Sequence, residues 1–254
     1  MLSFLAQSAT GVGRMFIETP FGRSLCNLFG GYDMARAVHI YIGIFMIAGF
    51  AVHAVYLLFR VDWRNFPQSL LSPDSVVPHP SDLKAFLMHT AWLVGLRKAP
   101  DFDRWGYWEK FDYWAVFWGM VIIGGTGLLM AFPLYFTHYI PGWGLNVAFW
   151  IHRIEAILAM GHVFIIHFFI GHLRKHNFPM DKAMFEGSVS LESVREEKPL
   201  WIKRLRREGR FEDQLVPEAS RERRLVFYLV GYAALLSGIY LLVGGIVNSP
   251  HVTR

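Results

Sequence analysis

Two apolar segments of the chain each carry a pair of histidines at nearly the same spacing. His39 and His53 are fourteen residues apart, and His152 and His167 are fifteen residues apart. On an α-helix, which turns about 100° and rises ~1.5 Å per residue, the first two side chains differ by ~40° in direction and ~21 Å in depth. The second two differ by ~60° and ~22 Å. If the helices run side by side in the same direction, His39 faces His152 and His53 faces His167.

Facing imidazoles on neighbouring helices can bind a haem iron from both sides. The chain has no CxxCH sequence, so it cannot attach a c-type haem covalently, and its single cysteine, Cys26, excludes an iron–sulfur cluster. The pattern therefore predicts two non-covalent haem b groups. Their four axial ligands are His39, His53, His152 and His167.

Small residues lie one to two turns from the predicted ligands, where they would leave room for a flat porphyrin. They are Gly43 and Gly49 in the first apolar segment, and Ala156 and Ala159 in the third. Glycine and alanine also allow close helix packing without any cofactor, and this second interpretation stays open.

Three charged residues lie near the starts of the same segments. Arg36 and Arg153 are candidates for binding the propionates of the haem predicted between His39 and His152, since a guanidinium matches carboxylate geometry. Glu155 is the only carboxylate within the predicted spans, and an ionisable group in a span indicates function. It is a candidate for bonding a haem edge or a water molecule, or for pairing with either arginine.

Other protonatable residues are expected to serve a different role. On an α-helix His162 lies ~80° from His152 and ~140° from His167, so it is expected to face away from the ligands. His162 and His176 are also fourteen residues apart and form a rival pair of candidate haem ligands.

A quinone takes up two protons when it is reduced, so its site is expected near protonatable side chains. The candidates are Tyr56, Arg60, Asp112, His172 and His176.

Composition places these residues in a membrane. The chain has 254 residues, of which 54% are hydrophobic and 16% aromatic, and its mean hydropathy is +0.31. A hydrocarbon core about 30 Å thick requires about 20 apolar residues in a helix. Four segments meet this length: 37–59, 113–136, 147–173 and 225–247. We predict an all-α integral membrane protein, a four-helix di-haem cytochrome b bundle over 37–247, with an external or interfacial segment 1–36 and a tail 248–254.

Lysine and arginine predict the orientation of the spans. Segments 60–110 and 174–224 contain seven and thirteen of these residues, against five in the rest of the chain. Because short cytoplasmic loops hold the excess, both segments are predicted to be cytoplasmic and both termini external. In the first loop, Ser81 or Asp82 is expected to cap a helix at the membrane interface. The second also carries ten acidic residues, which argues against a nucleic-acid partner and favours membrane lipid.

The most specific stretches of sequence surround the second and third spans. They are YWEKFDYWAVFWG leading into TGLLMAF, and WIHRIEAILA followed by IHFF and FPMD. They resemble the cytochrome b subunits of formate-dehydrogenase-type and related bacterial respiratory complexes. The resemblance implies a gamma-type di-haem subunit of the bacterial inner membrane, with menaquinone or ubiquinone as substrate and an iron–sulfur or multihaem cytochrome c subunit as partner. In the best-known formate dehydrogenase arrangement the ligands are spread over three helices, whereas here they lie on two.

These features predict an electron-transfer subunit of a membrane-bound, quinone-linked oxidoreductase, distinct from the subunit that converts the primary substrate. The alternative is a non-redox membrane anchor or transporter whose histidines pack, bind ions or relay protons. A di-iron site needs several inward carboxylates and a zinc protease needs HExxH, and the sequence has neither.

Overall fold

The computed structural model describes residues 1–173, 178, 180–181, 183–218 and 220–251. All regular structure in these ranges is helical, and they contain no strand. Four helices are long and apolar enough to cross a membrane. The predicted all-α integral membrane fold is confirmed.

Two helices precede the first span, and shorter helices occupy the loops between the spans. The bounds are α1 Leu2–Met15, α2 Pro20–Leu28, α3 Tyr32–Arg60, α4 Pro80–Leu93, α5 Tyr107–Ala131, α6 Pro133–Phe136, α7 Gly142–Gly161, α8 Ala183–Glu186, α9 Leu191–Glu197, α10 Pro199–Arg207 and α11 Arg221–Asn248. The spans predicted from hydropathy fall on α3, α5, α7 with its continuation, and α11. The helix expected in the first long loop is α4, but its N-cap residue is His79 and not Ser81 or Asp82. Asp82 lies in the first turn and accepts the backbone N–H of His79 at 2.6 Å.

The second span differs most from its predicted bounds. α5 begins earlier, at Tyr107, because the Glu109 carboxylate accepts the backbone N–H of Gly106 at 2.6 Å and caps the helix there. It ends at Ala131, because Pro133 lacks a backbone N–H and disfavours helical geometry in the residue before it. Helix ends thus follow local capping, which hydropathy does not report.

The third span changes its helix type in the middle. It is α-helical up to Gly161 and continues as π-helix over His162–His167 and Phe169–Leu173. A π-helix closes each turn on the fifth residue, so it turns less per residue than an α-helix and brings residues five apart onto one face. His162, His167 and His172 have this spacing. The expectation that His162 faces away from His167 assumed an α-helix and is wrong.

The N-terminal segment forms a helical hairpin that packs against the spans. One buried apolar cluster contains Val12 of α1, Phe16 directly after it, Leu25 of α2, and Phe164 and Leu241 of the third and fourth spans. The hairpin requires Gly22 of α2, since a Cβ there would collide with the backbone carbonyl of Phe16. The position of this segment relative to the membrane surface stays a prediction.

Arg204 of α10 joins the two long loops to each other. Its side chain is 8% exposed, and its Nη2 lies 2.8 Å from both Asp74 Oδ1 and Asp103 Oδ1. Hydrogen bonds from Arg204 hold the pKa of the Asp74 carboxyl below its ordinary value, and those to Asp103 and Asp74 raise the pKa of the guanidinium. The Lys198 ammonium adds a link to α5, 2.6 Å from Glu109 Oε1.

Replacing Arg204 with methionine should loosen these loops. Asp74 and Asp103 would then face each other without their shared cation, and we expect the free energy of unfolding to fall by about 1–3 kcal/mol. The effect is smaller than for a fully buried pair because the two carboxylate side chains are 35% and 30% exposed. Thermal unfolding in detergent and the rate of limited proteolysis in the loops measure it. Arg207→Met, at an exposed position of the same helix, is the control.

The stabilisation should also depend on pH. Because folding lowers the pKa of Asp74, its ion pair with Arg204 contributes fully above the ordinary pKa of an aspartate, and the contribution is lost as the pH falls through the lowered pKa. The difference in stability between the parent and Arg204→Met should therefore shrink in acid. A difference that is constant down to strongly acidic pH, or equal stability of the Arg204 and Arg207 variants, would contradict this account.

Candidate functional site

His39 and His152 face each other across α3 and α7, as the sequence predicts. The centroids of their rings are 6.2 Å apart, and the ring planes are inclined by 73°. Both residues lie on regular α-helix, so the directions expected from their positions in the sequence apply and the side chains meet. We call these two histidines the first pair.

The His39 ring is held by a hydroxyl from α1. Its Nδ1 lies 2.9 Å from Thr10 Oγ1, and the Thr10 hydroxyl has its own acceptors, the carbonyl oxygens of Ala6 at 2.7 Å and Gln7 at 3.1 Å. Since a hydroxyl has one hydrogen and donates it within α1, its oxygen accepts the hydrogen bond from His39. This network assigns the ring hydrogen to Nδ1 and leaves a lone pair on Nε2.

The His152 ring is held in the same way by α5. Its Nδ1 donates to the carbonyl oxygen of Ile123 at 3.0 Å, and Thr126 Oγ1 lies 3.2 Å from the same nitrogen. A carbonyl can only accept, so the hydrogen is again on Nδ1 and the lone pair on Nε2. The Thr126 hydroxyl donates to the carbonyl of Ile122 at 2.6 Å, which leaves its oxygen as an acceptor too.

The first pair has the separation that two axial haem ligands require. A metal–imidazole bond is about 2.0 Å long and each ring centre lies about 1.1 Å beyond its nitrogen, so two imidazoles on one iron have centroids roughly 6 Å apart. The observed 6.2 Å agrees. The contacts with Thr10, Thr126 and the Ile123 carbonyl all involve Nδ1, so none of them occupies the Nε2 atom of either ring. The separation of the two rings is therefore compatible with binding to one iron.

Two glycines that the sequence analysis did not select lie against the rings of the first pair. A Cβ at Gly127 would lie 3.2 Å from His152 Cε1, and one at Gly11 would lie 3.4 Å from His39 Cε1. Gly127 therefore lets α5 approach the His152 ring more closely than a side chain would, whereas a Cβ at Gly11 would make an ordinary van der Waals contact. No sequence pattern singles out Gly11, because nothing in the sequence places α1 beside α3.

The small and acidic residues predicted near the haem ligands have varied surroundings. A Cβ at Gly43 would meet the side chain of Gln7 at 2.9 Å, so α1 fills the space beside this glycine. A Cβ at Gly49 would meet nothing within 4 Å. Ala156 and Glu155 are half-buried on α7. Gly49 therefore has open space beside it, and Gly43 does not.

Three arginines lie around the first pair, one of which the sequence analysis missed. Arg153 is buried, and its guanidinium lies 5.7 Å from the ring centroids of Phe149 and Trp150. Arg36 is exposed. Arg14 of α1 is close enough to interact electrostatically with both imidazoles of the first pair. Only the packing of α1 brings this third positive charge to the site.

The second predicted pair, His53 and His167, is not in contact. His53 Nε2 lies 2.9 Å from the Tyr113 hydroxyl, and His167 Nδ1 lies 3.2 Å from Asp112 Oδ2. The ring contacts described for the two histidines do not join them to each other. Asp112 and Tyr113 are adjacent on α5, so this helix supplies a partner to each histidine.

Asp112 binds two histidines at once. Its Oδ1 lies 2.8 Å from His162 Nε2, and its Oδ2 lies 3.2 Å from His167 Nδ1. The π-helix makes this possible, because it directs both rings toward α5. The sequence analysis did not expect His162 beside His167, although the five-residue spacing of the three histidines was the signal for it.

His172 extends this group of protonatable side chains. It is 8% exposed, its ring centroid lies 6.4 Å from that of His167, and its Nδ1 accepts the backbone N–H of Asp181 at 3.3 Å. We call the four residues Asp112, His162, His167 and His172 the Asp112 cluster. Two other quinone candidates, Tyr56 and Arg60, contact each other, with the guanidinium 5.8 Å from the ring centroid. His176 lies outside the described residues.

The fold and the site define an all-α integral membrane protein with a histidine pair suited to haem. No protein-family model matches the chain. It is similar to the formate dehydrogenase cytochrome b556 subunit of Haemophilus influenzae, with 24% identity over 204 residues covering 80% of this chain and 76% of that protein. It is also similar to the formate dehydrogenase cytochrome b556(fdo) subunit of Escherichia coli, with 22% identity over 213 residues covering 80% of this chain and 85% of that protein. These distant similarities agree with the resemblance found in the sequence.

Proposed function

We propose that the chain is a di-haem b-type cytochrome subunit that passes electrons across the membrane between a partner redox subunit and the quinone pool. The observation that carries the proposal is the first pair, whose rings are 6.2 Å apart and are both anchored through Nδ1. Haem iron, when bound, supplies one-electron redox chemistry. The relatives' names support a place among the redox subunits of a formate-dehydrogenase-like complex.

We call the haem proposed between His39 and His152 the first haem, and different residues of the chain would bind and orient it. His39 and His152 offer Nε2, while Thr10 and the Ile123 carbonyl fix the orientation of the rings. The negative charge of the propionates requires cations, since a buried carboxylate needs a partner. Arg14, Arg36 and Arg153 are our candidates for that role.

His53 and His167 are proposed to hold the second haem. Asp112 supports this assignment, because it binds His167 through Nδ1 and leaves Nε2 for a metal. The π-helix also reduces the angle between His152 and His167 that a continuous α-helix would give. His53 instead uses Nε2 to bind Tyr113 in this structure, so ligation requires that the Tyr113 hydroxyl release this nitrogen.

The Asp112 cluster is proposed as the place where quinone exchanges protons. Reduction of a quinone consumes two protons, and a carboxylate shared by two imidazoles can take up and deliver them. Tyr56, Arg60 and His176 are proposed to line the approach from the loop side. The substrate is menaquinone or ubiquinone, and the electron partner is an iron–sulfur or multihaem cytochrome c subunit.

The haem content of the purified protein tests the proposal. We expect a red protein with a reduced α band in the b-type region and two haems per chain by pyridine haemochrome assay. A colourless protein that also fails to bind added haemin would contradict the proposal and favour a non-redox anchor or transporter. One haem per chain would agree with haem binding at the first pair and would contradict the second haem proposed between His53 and His167.

The proposed orientation can be tested with a topology reporter. We propose, from the excess of lysine and arginine in 60–110 and 174–224, that both loops lie on the cytoplasmic side of a bacterial inner membrane. A reporter that is active only in the periplasm should therefore be silent when fused after Pro217, and active when fused in the loop between α6 and α7. The reverse pattern of reporter activity would show that the protein has the opposite orientation, with the Asp112 cluster on the external side.

A further inference from the structure

We propose that Thr10 is a positioning residue for the first haem, through a hydrogen bond that sets the tautomer and the donor strength of His39. The inference rests on the proposed haem ligation by the first pair. It assigns a redox role to α1, a helix that carries no histidine.

The geometry at Thr10 leaves its oxygen one function. The residue is fully buried, and its hydroxyl hydrogen is directed to the carbonyls of Ala6 and Gln7 in its own helix, at 2.7 and 3.1 Å. The oxygen therefore accepts from His39 Nδ1 at 2.9 Å. The next residue, Gly11, lies beside the same ring, since a Cβ there would be 3.4 Å from His39 Cε1, which is van der Waals contact.

The packing of α1 holds the hydroxyl in place. The ring of Phe4 meets that of Phe164 edge to face, with centroids 5.8 Å apart. At the other end of α1, Val12 and Phe16 are 2% and 3% exposed within the apolar cluster shared with α2 and α11. Thr10 lies between these two contacts. Its position is thus determined on both sides by buried apolar side chains.

The two rings of the first pair differ in how their Nδ1 atoms are supported. His152 has two acceptors on α5, the Ile123 carbonyl and Thr126 Oγ1. In the described part of the chain, His39 has the Thr10 oxygen as its side-chain acceptor. The backbone carbonyl of Gln7 also interacts with the His39 ring. Removing the Thr10 hydroxyl takes away the acceptor that lies 2.9 Å from His39 Nδ1, whereas removing the Thr126 hydroxyl takes away the longer contact of 3.2 Å and leaves the Ile123 carbonyl at 3.0 Å in place.

An acceptor on Nδ1 makes an imidazole a stronger donor to a metal and favours the oxidised, more positive iron. Thr10→Val removes the acceptor with little change in shape, so it should raise the midpoint potential of one haem. At the parental midpoint potential, we expect the ratio of reduced to oxidised first haem to rise roughly tenfold. Thr10→Ser keeps the hydroxyl and should restore the parental potential.

The experiment compares Thr10→Val, Thr10→Ser and the matched control Thr126→Val by potentiometric titration of each haem and by the low-spin electron paramagnetic resonance signal. We expect a large shift for Thr10→Val, parental behaviour for Thr10→Ser and a smaller shift for Thr126→Val. Loss of the first haem in Thr10→Val with retention in Thr10→Ser would also support the inference, since the hydroxyl is then the cause.

Three outcomes would overturn the inference. They are parental potentials and signals in Thr10→Val, equal shifts in the two valine variants, and equal effects of valine and serine at position 10. Failure of the proposed function is a different result, because the parent would then contain no haem at all. If the parent binds haem and His39→Leu loses one, but Thr10→Val changes nothing, only the role of Thr10 fails.

Discussion

A chain carrying His152→Leu should be purified with about half of the parental b-type haem, because one of the two irons loses an axial bond while the other keeps both. The loss should come from a single low-spin species. Pyridine haemochrome analysis and electron paramagnetic resonance of the isolated protein measure the amount and the spin state. His39→Leu should give the same result, since the first pair holds one iron between two rings.

His138→Leu is the matched control for this experiment. His138 is exposed in the turn between α6 and α7, and its Nδ1 lies 2.9 Å from the carbonyl oxygen of Leu134. Its replacement should leave both haems in place. Retention of two low-spin haems in both His39→Leu and His152→Leu would show that the first pair does not bind haem.

The second large effect is expected at Asp112. Asp112→Leu removes the carboxylate that joins His162 and His167, and we expect quinone-linked turnover to fall by about 10²-fold or more. Asp112→Asn has nearly the same shape and can still accept a hydrogen bond, but it cannot carry the charge or take up a proton. It should therefore retain most haem at the first pair and lose most turnover.

The Asp112 variants are compared with Asp101→Asn, which changes an exposed aspartate in the loop before α5. Turnover is measured with a soluble quinone analogue after the haem spectrum of each variant has been recorded. Parental turnover in both Asp112 variants would exclude the Asp112 cluster as the proton-exchange site. The polar residues around the first pair would then become the candidates.

The sequence by itself determined the features that depend on local periodicity and on the membrane as a solvent. The thickness of the hydrocarbon core sets the length of a span, so four apolar segments were sufficient to predict four membrane-crossing helices. His39 and His152 were predicted to face each other because both lie on regular α-helix, where position in the sequence determines direction.

Only the tertiary structure decided where the regular period ends and which distant segments meet. Hydropathy does not distinguish π-helix from α-helix, because the change of hydrogen-bond register depends on packing around the helix, so the direction of His162 was mispredicted. The contacts of Thr10 and Arg14 with the first pair depend on α1 packing against α3, and those of Arg204 depend on two loops more than a hundred residues apart. Such contacts have no period in the sequence, since they arise when separate helices bury their apolar faces together.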